Sequence, residues 1–540
     1  MQVSGDVRDE RFDAVIIGAG FAGMYMLHAL REQGFRARVF EVADDVGGTW
    51  YWNRYPGARC DVESLEYSYS FSPELEQEWQ WSERYAGQPE ILRYAQHVAD
   101  RFDLRRDIRF ETRVLSADFD DATTGWTIVT RSVGGTEQTT CAQFMITAVG
   151  CLSSTNTPPF PGRGAFAGPS HHTGTWPHEG VDFTGQRVAM IGTGSSAVQS
   201  IPLIAQQAAH LTIFQRTATY TVPAHNRSLT TDEVAEVKAD YAGLRAANRQ
   251  MGGGFGARSA RGEIGAFEVT PEVRAAEYEQ RWGVGGLGFL GGYTDIILSP
   301  EANETAAEFV RAKIAGTVTD PTTAALLTPT HVIGCKRLCV DTGYYETFNR
   351  HNVSLVDVST QPIEEITATG LRVGGVDYPV DAIVYATGFD AMTGSLLKIN
   401  ARGPVVSLLD AWAAGPRTYL GLSVHGLPNM FTISGPGSPS VLTNMITSIE
   451  QHVEWIRDCL VSMRSRGLRR IEATESAQEA WVEYVNAVAD MTLFPTCNSW
   501  YLGANVPGKT RVFMPLPGFP PYAEQCAAVA ANGYEGFALA

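Results

Sequence analysis

The sequence predicts an α/β fold in which one α/β unit is inserted within another, and a helical segment is inserted within the second. Three observations carry this. An apolar strand, Asp13 to Gly18, runs into a glycine-rich turn; Met24, Leu27 and Leu30 then follow helical spacing, and a second strand, Ala37 to Phe40, ends at Glu41. The same order recurs at Arg187 to Gly192, with a helix and the strand Leu211 to Phe214. Between Pro223 and Thr330 the character becomes helical, and a third apolar strand, Ala382 to Tyr385, then ends in Ala386-Thr387-Gly388, where the chain is expected to return to the first unit. The two βαβ patterns are those of dinucleotide-binding (Rossmann-like) domains.

The first turn reads Gly18-x-Gly20-x-x-Gly23. Its glycines permit a tight turn and let the backbone approach a pyrophosphate seated on the helix N-terminus. Glu41 lies 18 residues past Gly23 at the end of the next strand, where a carboxylate accepts ribose hydroxyls and repels a 2′-phosphate. This site favours FAD or NAD. The second turn is Gly192-x-Gly194-x-x-Ala197, and Arg216, followed by Thr217, stands where the acid stood. A guanidinium there suits a 2′-phosphate, so the second site favours NADPH.

Within the insertion, Asp232–Arg249 and Pro271–Arg281 read as helices separated by the Gly-rich stretch Gly252–Gly256. The tail beyond Thr492 is rich in Pro, Gly and aromatic residues, and Asn498–Pro507 reads as a loop of the kind that acts as a lid.

At 540 residues the chain accommodates several cores. Its net charge of −17 argues against nucleic acid or an anionic membrane as partner. No apolar run reaches the roughly 18 residues of a membrane span, and Met1 to Asp13 is polar and charged, so the expected location is cytoplasmic. The eight cysteines form no Cys-x-x-Cys pair. Cys335 and Cys339 have no companions that complete a metal site, so all eight are expected to be reduced thiols and no metal is expected. Without a suitably spaced redox pair a disulfide reductase is excluded, which leaves electron transfer from nicotinamide to flavin with some other outcome.

Phe166-x-Gly168-x-x-x-His172-x-x-x-Trp176-Pro177 joins the first unit to the second, and Gly48-x-Trp50, Tyr55-Pro56-Gly57 and Asp61 form a second motif. Here the chain resembles the Baeyer–Villiger monooxygenases, within them most closely the phenylacetone and steroid monooxygenases. The resemblance extends through Trp50–Asp61, Gln88–Leu92, Gly435–Pro439, Ser499–Tyr501 and Ala504–Gly508; Ala148-Val149-Gly150 departs from the usual Ala-Thr-Gly strand end. It implies an NADPH- and O2-dependent conversion of a neutral ketone to an ester or lactone through a flavin peroxide. It also implies an FAD-binding domain at 1–152 and 386–540, an NADP-binding domain at 153–222 and 332–385, and a helical insertion at 223–331.

By the same resemblance Arg337 stabilises the peroxide and the tetrahedral adduct, and Asp61 orients it. Lys336 joins Arg216 and Thr217 on the 2′-phosphate, and Trp500 contacts the nicotinamide cofactor. Trp50, Tyr67, Val114 and Met445 fall where the family lines FAD, although their residue types suit core packing as well. Phe21, Gly48, Thr49, Arg59, Thr193, Ser195, Ser196 and Gln199 complete the expected cofactor contacts, and Ser440-Val441-Leu442 borders the substrate pocket. His172 reads as a link between domain movement and the site, or as a structural histidine. A heteroatom oxygenase and a non-catalytic flavoprotein are the rival readings; a monomer or small homo-oligomer is expected.

Overall fold

The computed structural model describes residues 10–259, 261–504, 506, 508 and 518–540. An eight-stranded sheet forms the first unit. Its path runs Ala401–Arg402, Thr112–Asp120, Gly125–Ser132, Glu137–Thr147, Glu10–Ile17, Ala37–Phe40 and Ile108–Arg109, with Met430–Thr432 added beside Glu137–Thr147. The Glu10–Ile17 strand is parallel to both neighbours, in register Ile16 to Val39 and Ile16 to Ile146. Val15 and Ile16 are fully buried, so this strand carries side chains into both faces of the sheet, as central parallel strands do. Each such buried side chain contributes about 1.5–3 kcal/mol.

The second unit is a wholly parallel five-stranded sheet in the order Val353–Asp357, His210–Gln215, Arg187–Ile191, Ala382–Tyr385 and Ser170–His172. The sheet is therefore completed by a strand from after the helical segment, paired Tyr385 to Ile191. The chain crosses between units twice. The two crossings lie side by side: the Asn156 N–H donates to Gly388 O at 2.9 Å, and Thr155 bridges Phe389.

The helical segment departs from its sequence reading at one point. Asp232–Arg249 is two helices, Thr231–Ala239 and Tyr241–Arg249, because Asp240 leaves the helical conformation and its carboxylate caps the second by accepting from the Gly243 N–H. These two helices pack against the core of the first unit through Val237 and Tyr241, whereas Pro271–Val284 and Pro300–Thr317 pack against the second. No helix among the described residues is long and apolar enough to cross a membrane.

The reading of eight reduced thiols is overturned at two positions. Cys335 and Cys497 are joined as a disulfide across 162 residues, their Cα atoms 6.1 Å apart, which is within the span such a bridge bridges. The other six cysteines are free. Of the loop read over Asn498–Pro507, Trp500–Leu502 is a short 3-10 turn, while Asn505 and Pro507 lie outside the described residues, as does Met1–Asp9 of the N-terminal reading.

Candidate active site

Both glycine-rich turns end in helices whose N-termini are bare. Gly20 precedes Phe21–Glu32 and Gly194 precedes Ser195–Gln207, and no side chain caps either. Thr230, Thr270 and Ser299, by contrast, cap their helices with side-chain oxygens. First-turn N–H groups and the positive end of the helix dipole are thus left for an anion. The space for one is built in. A Cβ on Gly23 would stand 1.8 Å from Gly18 O, so only glycine lets this helix close on its strand, and a Cβ on Gly194 would meet nothing within 4 Å. The residues therefore fit a pyrophosphate at both turns.

At the first turn Glu41 is buried, and its carboxylate accepts from the N–H groups of Ala19 (2.6 Å) and Ala43 (2.8 Å). Burial raises its pKa, and those N–H groups pull it back. The bonds fix the carboxylate at the strand end, with lone pairs left for ribose hydroxyls. Gly48 packs its backbone on Gly20 and opens the short helix Thr49–Trp52, which buries Trp50 and leaves Thr49 exposed. The Trp50 Nε1–H donates to the Tyr67 hydroxyl at 3.2 Å, and Phe21 meets Tyr67 edge to face. Val114 is instead a core residue beneath the sheet, packed with Val15, Ile17 and Phe40.

At the second turn the exposed Arg216 and Thr217 follow the strand His210–Gln215, and the Thr193 hydroxyl donates to Thr217 O at 2.8 Å. Ser195 is exposed, with its Oγ 3.3 Å from Cys339 Sγ; Ser196 lies 3.1 Å from the Thr173 hydroxyl, and Ala197 is buried under the helix. Lys336 stands close enough to Arg216 to feel it: burial first, and the Arg216 charge second, lower the lysine's pKa. Among the described residues neither cation is paired with a carboxylate. Two adjacent, unneutralised cations beyond a bare helix N-terminus fit the 2′-phosphate of NADPH.

The two units meet at Tyr55–Arg59. The Tyr55 hydroxyl donates to Gln199 Oε1 at 2.8 Å, and Gln199 Nε2 donates to Arg59 O at 3.0 Å. Arg59 itself donates to Tyr85 O and pairs with Glu83. Two residues on, Asp61 takes both arms of a guanidinium: Arg337 donates from Nε to Oδ2 at 2.8 Å and from Nη2 to Oδ1 at 2.7 Å. Its Nη1 donates to Val441 O at 2.8 Å. Burial works against the Arg337 charge, but the Asp61 carboxylate more than offsets it, raising the arginine's pKa above its ordinary value. The Tyr501 phenol is pushed up to about 12, by burial first and against the pull of the neighbouring Arg337.

Val441 belongs to an apolar cluster with Cys151, Ala391, Met392, Tyr501 and Leu502, against which Leu442, Met445 and Trp500 pack. Ser440, fully buried, opens the turn at its edge. The Asp61–Arg337 pair is thus joined, through the Val441 carbonyl, to the apolar cluster on which Leu442, Met445 and Trp500 pack.

His172 is not brought into that group. Its Nδ1 accepts from the Gly174 N–H at 2.9 Å, and Nε2 faces Asn156 O and the Thr387 hydroxyl, each at 3.4 Å, where the two crossings between units meet. Burial lowers its pKa, which suits a neutral imidazole between backbone groups. Trp176 packs on His171 and Phe183 beneath the second unit, followed by Pro177; Phe166 packs beside the same sheet, and a Cβ on Gly168 would strike Asp381 O and the Phe166 ring. Sequence reasoning missed Tyr501 and the Val441 carbonyl as neighbours of Arg337. The first lay within a stretch already singled out; a carbonyl's role leaves no trace in residue type.

A family model described as flavin-binding monooxygenase-like matches residues 12–231. A protein named Baeyer-Villiger monooxygenase from Pseudooceanicola batsensis is 43% identical over 97% of this chain and 95% of its own length. A phenazine N-monooxygenase from Lysobacter antibioticus is 42% identical over 98% of this chain and 97% of its own. The solved structure of an oxidised steroid monooxygenase bound to NADP is 52% identical and superimposes with a TM-score of 0.92, covering 98% of this chain and 99% of that one.

Proposed function

The chain belongs to the Baeyer–Villiger monooxygenases, and from that premise we propose that Arg337, set by Asp61 and the Val441 carbonyl, is the charge device of its ketone oxygenation. The protein is an FAD-dependent, NADPH-using monooxygenase that converts a ketone to an ester or lactone. When bound, FAD reduced by NADPH supplies the activated oxygen.

The observation that carries the proposal is the forked Asp61–Arg337 pair. Three of the five N–H donors of Arg337 are engaged by fixed protein oxygens, so the cation is positioned before substrate arrives. A guanidinium stabilises an oxygen anion without giving up a proton, which keeps that oxygen nucleophilic toward a carbonyl. Val441, Leu442, Met392 and Trp500 exclude water around it and offer no charge, which suits a neutral arylalkyl, large cyclic or steroid-like ketone. Glu41 holds the ribose of FAD, with Phe21, Gly48, Thr49, Trp50, Arg59, Tyr67 and Met445 along the rest of it, while Val114 packs in the core beneath the sheet. Arg216, Thr217 and Lys336 hold the 2′-phosphate of NADPH, with Thr193, Ser195, Ser196 and Gln199 beside its pyrophosphate and Trp500 against its nicotinamide.

The same reading assigns 1–152 with 386–540 to FAD, 153–222 with 332–385 to NADP and 223–331 to the helical insertion. It takes O2 as co-substrate in the cytoplasm, in a monomer or small homo-oligomer. Incubation with NADPH, phenylacetone and isotopically heavy O2 tests it. Wild type yields ester carrying one heavy oxygen atom. Arg337→Ala still accepts hydride from NADPH but loses about 100- to 1000-fold in ester formation. Undiminished ester from that variant would defeat the role given to Arg337. The similarity to a phenazine N-monooxygenase favours a second reading, oxygen transfer to an aromatic nitrogen. An N-oxide formed from phenazine while ketones remain unconverted would establish it.

A further inference from the structure

The Cys335–Cys497 bridge joins the two loops that the oxygenase reading places on the nicotinamide cofactor. Cys335 directly precedes Lys336 and Arg337; Cys497 lies three residues before Trp500 and four before Tyr501, whose phenol neighbours Arg337. The loop after Cys335 leads into the strand Cys339–Asp341, which pairs with Thr221–Pro223, whereas Cys497 follows the helix Glu475–Asp490 in the chain's last segment. The bridge therefore spans two parts of the chain that share no strand pairing among the described residues. Cys335 is 1% exposed and Cys497 8%. The remaining six cysteines are free.

We propose that Cys335 and Cys497 are a reversible redox-modification site. Hydrogen peroxide is the oxidant, and closure of the bridge locks the Trp500 loop onto the Lys336–Arg337 loop. The more exposed thiolate, Cys497, attacks one peroxide oxygen; the O–O bond breaks, leaving a sulfenic acid and one water. The Cys335 thiolate then attacks that sulfur, the S–S bond forms, and the S–O bond breaks to release a second water. The two thiols together lose two electrons and two protons, and the peroxide gains both. A dithiol reductant reverses the reaction by exchange. Disulfides in reducing compartments are typically transient and regulatory, which is how a bridge in this chain is understood beside a cytoplasmic location. The bridged form holds both cofactor-contacting loops at fixed separation, so NADP+ leaves slowly; the reduced form lets the loops part.

The consequence for the cofactor rests on the oxygenase reading of Lys336 and Trp500; the bond itself does not. The test uses the purified holoenzyme, either reduced with dithiothreitol or oxidised with hydrogen peroxide. Peptide mass mapping reads the bond, and dissociation of NADP+, followed by fluorescence in the absence of any ketone, reads its effect. The oxidised enzyme is expected to yield the Cys335–Cys497 cross-linked peptide and to release NADP+ at least about fivefold more slowly, a modest coupling. Dithiothreitol should restore fast release, and Cys497→Ser should release at the fast rate under both treatments. No cross-linked peptide, a cross-link without slower release, or equal slowing of Cys497→Ser by peroxide would each overturn the proposal. Because neither readout needs turnover, an enzyme that oxygenates no ketone would fail the reading above and leave this result standing.

Discussion

Arg337 is set by two segments distant in the chain, Asp61 and Val441, which together take three of its N–H groups. Asp61→Ala removes two of those bonds, and at about 1.5–3 kcal/mol for bonds to a charged group the oxygenation rate should fall at least tenfold. Arg337→Lys keeps the charge but not the fork, and steady-state kinetics should show a loss nearer to that of Arg337→Ala than to wild type. Arg216 and Lys336 carry a different expectation. Arg216→Ala should raise KM for NADPH by about 10- to 100-fold and leave KM for NADH within a few-fold, since only NADPH bears the 2′-phosphate. The pH profile gives a second check. Burial and Arg216 both lower the Lys336 pKa, so its proton leaves at a lower pH than that of an ordinary lysine. The kcat/KM for NADPH should therefore bend downward on the alkaline side, below the usual lysine range, and Arg216→Ala should move the bend upward.

The helix Met445–Ser465 shows how an element behind the site is held. The Ser434 N–H donates to His452 Nδ1 at 2.9 Å, so Nε2 carries the proton toward the Tyr522 hydroxyl at 2.8 Å, which donates to Leu420 O. Burial pushes His452 down to about 3 from 6.5. The unfolded chain thus binds this proton more readily than the fold does, and stability is lost as pH falls from about 6.5 toward 3, by up to about 1.4 kcal/mol per pH unit. Urea titrations across that range should show the loss, and His452→Gln, which bonds without titrating, should flatten this part of it.

Such a chain was not legible in the sequence, because its four members span residues 420 to 522. The parallel strands were legible, since burial on both faces makes them continuous apolar runs such as Ala382–Tyr385. The meander Thr112–Asp120, Gly125–Ser132 and Glu137–Thr147 was not, for it is half-exposed and its apolar residues are diluted by charge. Arg337 and Asp61 were picked out by motif, whereas the Cys335–Cys497 pairing had no local signal across 162 residues.

At the scale of the whole molecule the units are fastened by charge as well as by apolar contact. Arg245 on the helix Tyr241–Arg249 donates to Glu76 Oε1 (2.9 Å), Glu66 O (3.0 Å) and Ser68 Oγ (2.7 Å), all in the first unit and nearly out of water. Burial raises the pKa of Glu76, and Arg245 works against that rise. Arg245→Met should destabilise by about 3–5 kcal/mol, because it strands a buried carboxylate, and denaturant unfolding should show a smaller loss in the double variant with Glu76→Leu. The paired crossings have a consequence of another kind. Since Asn156 bonds Gly388, the ends of the intervening segment are neighbours, and everything from 157 to 387 leaves and re-enters the first sheet through one doorway. A segment with adjacent ends is a cassette: recombination could exchange it for another of the same kind without stretching the host sheet, and since Arg216, Lys336 and Arg337 all lie inside it, the 2′-phosphate cations and the charge device would be inherited together, apart from the apolar wall of Val441 and Leu442.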